Sequence, residues 1–246
     1  MRQFHHVALA IALVFSLQSC EACESECIAR SARSCLDLLK RGVKTSGHYQ
    51  IFDQSNDRFI NVYCDMESEP GSAWTLVESF ALKNKGVDQV QRHPIQTNVP
   101  VNEKTPNWNI YRMSLSQMTF LKAQSTHWRV TCSLPTFGVD YRDYARANFA
   151  DFDITTFLGD AVCKKMEFVN IRGHQCAQCT AAWWQKLSTY PATIDSSYNP
   201  NSCQFVATAG SVPSEDNFGY YHAINNNFRC SNGAGSTTNW WFGGYL

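Results

Sequence analysis

Cys176 and Cys179 form a Cys-x-x-Cys pair, and His174 lies two residues before it. Such a pair can cycle between dithiol and disulfide when a helix start acidifies the first thiol. Here the strand-then-helix pattern of that setting is missing, and many other cysteines surround the pair. Zinc binding lacks an evident fourth ligand. We therefore predict disulfide cysteines at Cys176 and Cys179, with a thiol oxidoreductase as the alternative and His174 as a residue at the rim of a binding site.

Carboxylates occur in two short groups that could attract calcium, which needs six to eight oxygen ligands. Asp151 and Asp153 flank Phe152 in an alternation typical of a half-buried strand with its carboxylates in solvent. Glu215 and Asp216 lie in a more polar segment, between a serine and an asparagine. They are the calcium candidates, and solvated loop carboxylates are the competing interpretation. No other cofactor is predicted.

Hydrolytic motifs are missing from the chain. None of its seven histidines shows the His-x-x-x-His spacing of a helical zinc site, and there is no Gly-x-Ser-x-Gly turn. A triad can still assemble from residues that are distant in sequence. Because the sequence carries no such motif, we predict that the protein is not an enzyme.

Aromatic residues are concentrated in the last third of the chain, close to three consecutive asparagines at 225–227. Aromatic walls beside amide donors suit an acetylated sugar, because the ring stacks and the amides satisfy its polar groups. The competing interpretation is that these side chains fill the core. The residues concerned are Trp183, Trp184, Tyr220, Tyr221, Trp240, Trp241 and Tyr245.

The elements that would position these groups can be predicted in the first half of the chain. Ser34 can cap a helix over residues 35–41, and Gly42 can end it. Ser114 and Gln117 have the spacing of a capping box that opens a second helix through residue 121. Strands are predicted at residues 48–52, 59–64, 74–77 and 128–132, with a turn at 55–57 and a surface loop at 83–107.

The segment Ser-Cys-Leu-Asp-Leu-Leu at 34–39 and the segment Tyr-Cys-Asp-Met-Glu at 63–67 resemble the opening of a fibrinogen C-terminal domain. The resemblance implies an α+β fold, with a mixed or antiparallel sheet, short helices and long disulfide-stapled loops. It also implies a disulfide between Cys35 and Cys64 and a hairpin at residues 141–154.

A second, local resemblance covers residues 176–184, where an alanine and two tryptophans follow a cysteine. In fibrinogen-related proteins the matching segment helps to form a pocket for acetyl groups. The resemblance therefore implies that Trp183 and Trp184 contact a ligand. Beyond about residue 155 the rest of the chain diverges from the family.

The first residues predict export. An apolar run at 7–17 is too short to span a bilayer and suits the core of a signal peptide at 1–22. A cysteine-containing segment at 23–33 and a fibrinogen-like domain at 34–246 follow. Removing Cys20 with the signal leaves ten of the eleven cysteines, an even number suited to disulfides. Cys23 and Cys27 either link chains into a disulfide-bonded homo-oligomer or pair internally.

Charge is balanced, with 21 basic and 21 acidic residues, which argues against nucleic-acid partners, membrane attachment and direct binding of mineral. The predicted function is that of a secreted, non-enzymatic matrix or recognition protein whose partners are matrix components or glycans. It resembles the fibrinogen-like proteins of coral skeletal organic matrix. A soluble lectin of innate defence for acetylated glycans, and the thiol oxidoreductase, are the alternatives.

Overall fold

A large antiparallel sheet with a few short helices organises this chain. The structure, a computed structural model, describes residues 32–196, 198–199, 201–208 and 210–246. The helices are α1 (Cys35–Lys40), α2 (Asp88–Gln91), α3 (Leu115–Lys122) and α4 (Leu134–Phe137), with a 3-10 turn at Leu82–Asn84. The strands are β1 (Gly47–Asp53), β2 (Arg58–Asp65), β3 (Ser72–Ala81), β4 (Ile110–Arg112), β5 (His127–Cys132), β6 (Tyr144–Asn148), β7 (Gly159–Ile171), β8 (His174–Lys186), β9 (Tyr190–Asp195), β10 (Asp216–Asn217) and β11 (Thr237–Tyr245).

The strands follow the order β1-β2-β3-β11-β5-β6-β7-β8-β9-β10, and β4 pairs with β3 away from this path. Each of the ladders between these strands is antiparallel. The last strand, β11, lies in the middle of the sheet, between β3 and β5. Gly243 on β11 has no room for a side chain, since a Cβ there would collide with the carbonyl of Ala73. The strands β1, β2 and β3 and the C-terminal strand β11 therefore belong to one sheet.

Local sequence signals explain the first elements. The Ser34 hydroxyl accepts a hydrogen bond from the Asp37 amide (3.1 Å), which caps α1 as predicted. At the turn between β1 and β2, the buried Asp53 carboxylate accepts from the Ser55 amide (3.0 Å) and the Asn56 side chain (2.7 Å). The capping box at Ser114 is present at the start of α3. The α+β fold with an antiparallel sheet and short helices, which the resemblance implies, is confirmed.

The prediction of a hairpin at residues 141–154 is wrong in its pairing. Only β6 forms there, and it pairs with β5 and β7. The chain then turns, because Phe152 packs edge-on against Trp128, whose indole N–H donates to the Phe152 carbonyl (2.7 Å). Asp151 and Asp153 form ion pairs with lysines. Burial of one aromatic residue thus overrides the alternation that predicted a strand.

Two buried arginines hold the first half of the sheet. Arg112 on β4 binds Glu78 (2.8 Å) and donates to backbone carbonyls of the segment from residue 89 to 97. It thereby anchors the loop predicted at 83–107. Arg129 on β5 binds both Asp65 and Glu69 and lies over the rings of two tryptophans. The tryptophans are Trp74 and Trp241, whose ring centroids lie 4.6 and 5.0 Å from the guanidinium carbon.

Four disulfides occur in the described part of the chain: Cys35–Cys64, Cys132–Cys230, Cys163–Cys203 and Cys176–Cys179. The first is the pair that the family resemblance implies. The signal peptide predicted at 1–22, together with Cys23 and Cys27, lies outside the described residues. Within the described ranges, no helix is long and apolar enough to cross a membrane.

Candidate functional site

A cleft of about 230 Å³ opens beside β8 and β9, near the edge of the sheet that ends with β10. Trp184 lies on β8, directly opposite Thr193 of β9. The other wall comes from β10 and the residues that follow it. The six lining residues are three aromatics, two carboxylates and one hydroxyl: Trp184, Tyr190, Thr193, Asp195, Asp216 and Tyr220.

Strand alternation places Trp184 in the cleft and its neighbour Trp183 in the core. Trp183 is fully buried, and its indole stacks on Phe218 (6.2 Å between ring centroids). Phe218 separates Asn217 of β10 from Gly219, so its burial fixes the stretch between Asp216 and Tyr220. A Cβ at Gly219 would collide with the carbonyl of Ala192 on β9. The missing side chain lets this stretch lie directly against β9 and form the second wall.

Two carboxylates face each other across the ladder between β9 and β10. Asp195 and Asp216 are direct partners in its register. Asp216 is only 8% exposed, and its Oδ2 accepts hydrogen bonds from the amides of His222 (3.0 Å) and Ala223 (2.9 Å). Burial raises the pKa of Asp216 to about 6, the two amides oppose this, and the charge of Asp195 adds to it. The carboxyl of Asp216 is therefore largely ionised at pH 7, but at a cost in free energy.

Aromatic rings enclose the carboxylates. The rings of Tyr190 and Tyr220 are 5.9 Å apart, and the His222 ring stacks on Tyr220 at 6.3 Å with nearly parallel planes. The Trp184 indole is half-buried, and Tyr198 lies 6.2 Å from it. Ring faces can hold the apolar body of a ligand or a positive charge, and carboxylates accept hydrogen bonds. The cleft is therefore built to hold a small polar group with donors.

A metal site is not supported by this geometry. Calcium is held by several carboxylates and by backbone or amide carbonyls, whereas the cleft is lined by only two carboxylates and its other side-chain oxygens are hydroxyls. No group of three or more His, Cys, Asp or Glu side chains that could hold a metal occurs among residues 32–246 as far as they are described.

Three of the residues that the sequence predicts for a binding or metal site lie in the cleft: Trp184, Asp216 and Tyr220. Trp183 is fully buried and cannot contact a ligand, which corrects its predicted role. Glu215 is also fully buried and binds the Arg172 guanidinium, so it is not available as a calcium ligand. His174 stacks on Phe205 at the opposite end of β8, about 30 Å along the strand from Trp184, and so does not form the rim of this site.

The remaining aromatic residues predicted for the site separate in the same way. Tyr220 lines the cleft, whereas Tyr221, Trp240 and Trp241 are buried in the core. The Asn225 side chain is buried and bonds to backbone atoms of Gly210 and Asn227. Of the asparagine cluster, none lines the cleft.

Sequence reasoning missed three lining residues, Tyr190, Thr193 and Asp195. The alternation of Thr193 and Asp195 around an isoleucine is a strand signal that could have identified the two polar residues. Their meeting with Asp216 depends on the pairing of β9 with β10 across more than twenty residues. No local sequence pattern predicts the pairing of β9 with β10.

Cys176 and Cys179 form a disulfide with each other on β8. Gln178, between them, has a positive φ of 49°. The first cysteine of a thiol oxidoreductase is typically acidified at a helix N-terminus. A position within a long strand provides no such acidification, so the geometry does not favour the oxidoreductase alternative.

A hydroxyl, an imidazole and a carboxylate line up at Thr126, His127 and Glu167. The His127 ring nitrogens lie 2.7 Å from the Thr126 hydroxyl and 2.9 Å from the Glu167 carboxylate. The arrangement resembles a catalytic triad. However, Glu167 also binds Arg146 (2.9 Å), and the Thr126 hydroxyl packs against Gly244, where a Cβ would collide with it. We interpret these contacts as ties between neighbouring strands of the sheet.

Comparisons with known proteins concern mainly the first part of the chain. The family described as "Fibrinogen beta and gamma chains, C-terminal globular domain" matches residues 31–97. Angiopoietin-4 of Mus musculus is 37% identical over 46 residues, which are 19% of this chain and 9% of angiopoietin-4. The chain thus spans less than a tenth of the length of that relative.

Among solved structures, a lamprey fibrin D-dimer complexed with the peptide ligand Gly-His-Arg-Pro-amide is 14% identical. The alignment covers 67% of this chain and 48% of that chain, with a TM-score of 0.31. The cleft at Trp184 lies outside the residues that match the family.

Proposed function

We propose that this chain, which carries a fibrinogen-related domain, is a secreted, non-enzymatic recognition protein held in an extracellular matrix. The cleft lined by Trp184, Asp195 and Asp216 is the observation that supports the recognition part of this proposal. The resemblance of the sequence favours a skeletal organic matrix over other extracellular matrices. The partners would be matrix components or glycans.

Three features support this function. Domains of the fibrinogen-related type are typically extracellular, generally not enzymes, and bind peptide or protein ligands. The cleft combines accessible aromatic rings with polar groups, which is the composition of a small-ligand site. The chain has no net negative charge that would favour direct adsorption to mineral, so retention would depend on organic partners.

A soluble lectin is the second candidate. The half-buried ring of Trp184 favours it, because sugar rings stack on exposed tryptophan faces. In a lectin the cleft would bind one acetylated sugar residue, and the protein would circulate in free fluid. Both candidates use the same cleft, so its presence does not separate them.

The domain layout predicted from the sequence completes the proposal. A signal peptide at 1–22 would direct export, and a single domain would extend over residues 34–246. In the segment 23–33, Cys23 and Cys27 would link chains, and a disulfide-bonded oligomer raises weak single-site affinity by avidity.

Fractionation of the native protein tests the matrix role. An antibody to residues 83–107 is used to blot soluble extracellular fluid against the insoluble residue, with and without reductant. We expect recovery from the insoluble fraction and a size shift on reduction. Recovery only from free fluid would refute the matrix role and leave the lectin as the better candidate.

A further inference from the structure

We propose that the Cys176–Cys179 disulfide captures a thiol by thiol–disulfide exchange, so that the partner carrying this thiol becomes covalently attached to the chain at Cys176. This attachment is separate from the cleft at Trp184 and goes beyond the proposed function. Three features of β8 lead to it: the backbone that closes the disulfide, the match between β8 and β7, and the accessibility of the two cysteines.

The backbone of β8 is turned at the point where the disulfide closes. In an extended strand, residues three positions apart are about 10 Å from each other and point to opposite faces of the sheet. The Cα atoms of Cys176 and Cys179 are instead 6.2 Å apart. Between them, Gln178 adopts a positive φ of 49°, a left-handed conformation that is unfavourable for a residue with a Cβ atom. The disulfide and a straight β8 therefore exclude each other.

The neighbouring strand β7 already matches a straight β8 residue for residue. Cys176 and Cys179 both have partners on β7, and the same number of residues lies between the partners as between the cysteines. A regular ladder would place Gln178 opposite Glu167, but the register of this described segment does not include that pair. When the disulfide opens, Gln178 can leave the left-handed region, and β8 can straighten without a shift in register. Opening therefore removes an unfavourable backbone conformation and can extend the ladder.

Accessibility decides which of the two sulfurs a partner attacks. Cys176 is half-buried and the two residues after it are exposed, whereas Cys179 is only 4% exposed. The incoming thiolate therefore attacks Sγ of Cys176. A new S–S bond forms between the partner and Cys176, the bond to Cys179 breaks, and Cys179 leaves as a thiolate that takes a proton from water. One thiol and one disulfide are present before and after the step, so no oxidant or reductant is required.

Straightening of β8 would keep the captured partner in place. To expel the partner, the thiol of Cys179 has to reach the new disulfide at Cys176. In a straight strand it would lie about 10 Å along the chain and on the opposite face of the sheet. The site is therefore suited to a single capture and not to repeated turnover. Its partner is a molecule with a free thiol, either a small thiol or a cysteine of a second copy of this chain.

Reduced glutathione is the probe that tests the capture. The full chain is incubated with it, free thiols are blocked with N-ethylmaleimide, and peptide mass spectrometry locates both groups. We expect glutathione on Cys176 and the blocking group on Cys179. Cys163–Cys203 is a matched control in the same protein, because it also joins a half-buried cysteine to one that is 4% exposed. It links β7 to a distant loop and closes no turn within one strand, so its exchange should be about tenfold slower.

Variants of the exposed residue Gln178 test the role of the backbone. Gln178→Gly accepts the left-handed conformation readily and should favour the intramolecular disulfide. Gln178→Val introduces a β-branched side chain, which favours the straight strand and therefore the captured state. The equilibrium constant for exchange with glutathione should differ by about tenfold between these two variants. Gln175→Val is the control, because it places the same side chain on β8 outside the segment that the disulfide closes, and it should exchange like wild type.

A second arm of the experiment distinguishes the two sources of the thiol. Concentrated protein is incubated with a trace of glutathione and separated by electrophoresis without reductant. A dimer that Cys176→Ser abolishes would identify a second copy as the partner, and glutathione adducts without a dimer would identify a small thiol.

Three results would overturn the inference. The first is exchange at Cys163–Cys203 that is as fast as exchange at Cys176–Cys179. The second is a free dithiol at Cys176 and Cys179 that accumulates without any glutathione adduct, because Cys179 would then resolve the adduct. The third is the same exchange equilibrium in Gln178→Gly and Gln178→Val. None of these results concerns recognition at Trp184, which is tested separately.

Discussion

Arg129 is a fully buried cation that binds two buried carboxylates, and its replacement should lower the free energy of unfolding. The guanidinium is fully buried, binds Asp65 and Glu69, and lies between the rings of Trp74 and Trp241. In Arg129→Met the side chain keeps much of its apolar packing, but two buried carboxylates lose their partner. Removing one partner of a buried ion pair costs about 3–5 kcal/mol. For a chain of this size we expect a melting temperature lower by about 10 °C.

The loss of stability in Arg129→Met should depend on pH through the pKa of Asp65. Burial alone would raise the pKa of Asp65, but the Arg129 guanidinium holds that pKa below its ordinary value. In the wild-type protein, Asp65 therefore stabilises the fold above a pH of about 4, and this contribution is lost as the carboxyl is protonated. In the variant, burial is unopposed and the pKa of Asp65 rises. The deficit in unfolding free energy should be largest at pH 7.5 and smaller at pH 4.5.

Equilibrium unfolding in urea, followed by tryptophan fluorescence at both pH values, measures the deficit. The triple variant Arg129→Met, Asp65→Asn and Glu69→Gln is the control, because it removes the unpaired charges and should recover part of the lost stability. A loss below about 1 kcal/mol at pH 7.5, or a deficit that does not change with pH, would refute the reasoning.

Three further predictions follow from the packing. Trp183→Ala should cost about 3–5 kcal/mol of unfolding free energy because the ring is fully buried, whereas Trp184→Ala should cost clearly less; similar losses in urea unfolding would contradict the assignment of Trp184 to the cleft. Replacing both cysteines of Cys132–Cys230 by serine should lower the free energy of unfolding by about 4.7 kcal/mol, and the same change at Cys176–Cys179 should lower it by about 2 kcal/mol. The reason is that the first disulfide closes a far longer loop. A larger loss at Cys176–Cys179, measured by calorimetry, would contradict this prediction. Burial raises the pKa of Asp216 to about 6, so the stability of the protein should fall as pH rises from about 4 to 6. Asp216→Asn should therefore flatten the dependence of the melting temperature on pH in this range. An unchanged slope of melting temperature against pH would refute the raised pKa.

The parts of the fold that the sequence predicts are those in which neighbouring residues decide the structure. The Ser34 cap, the turn after Asp53 and the capping box at Ser114 each depend on side chains within a few residues of the backbone groups that they satisfy. The position of β11 in the middle of the sheet depends on contacts across more than 100 residues. No periodicity in the chain encodes that position.

The candidate site shows the same division. Trp184 was identified from its own segment, but strand alternation decides that it faces the cleft while Trp183 faces the core. Glu215 and Asp216 are neighbouring carboxylates, and the sequence alone makes them equal candidates for a ligand or metal site. The structure separates them, because Arg172, in the turn after β7, binds Glu215, whereas Asp216 lies opposite Asp195 of β9 in the sheet. Those partners come from distant elements.

The most direct test of the proposed function measures retention of the purified full chain on the washed insoluble matrix of its source tissue. Wild type is compared with Trp184→Ala and with Phe59→Ala, which removes an exposed ring on β2, near the opposite edge of the sheet. If the cleft is the recognition site, Trp184→Ala loses most of the bound protein and Phe59→Ala binds like wild type. Equal retention of all three proteins would contradict the assignment of recognition to this cleft.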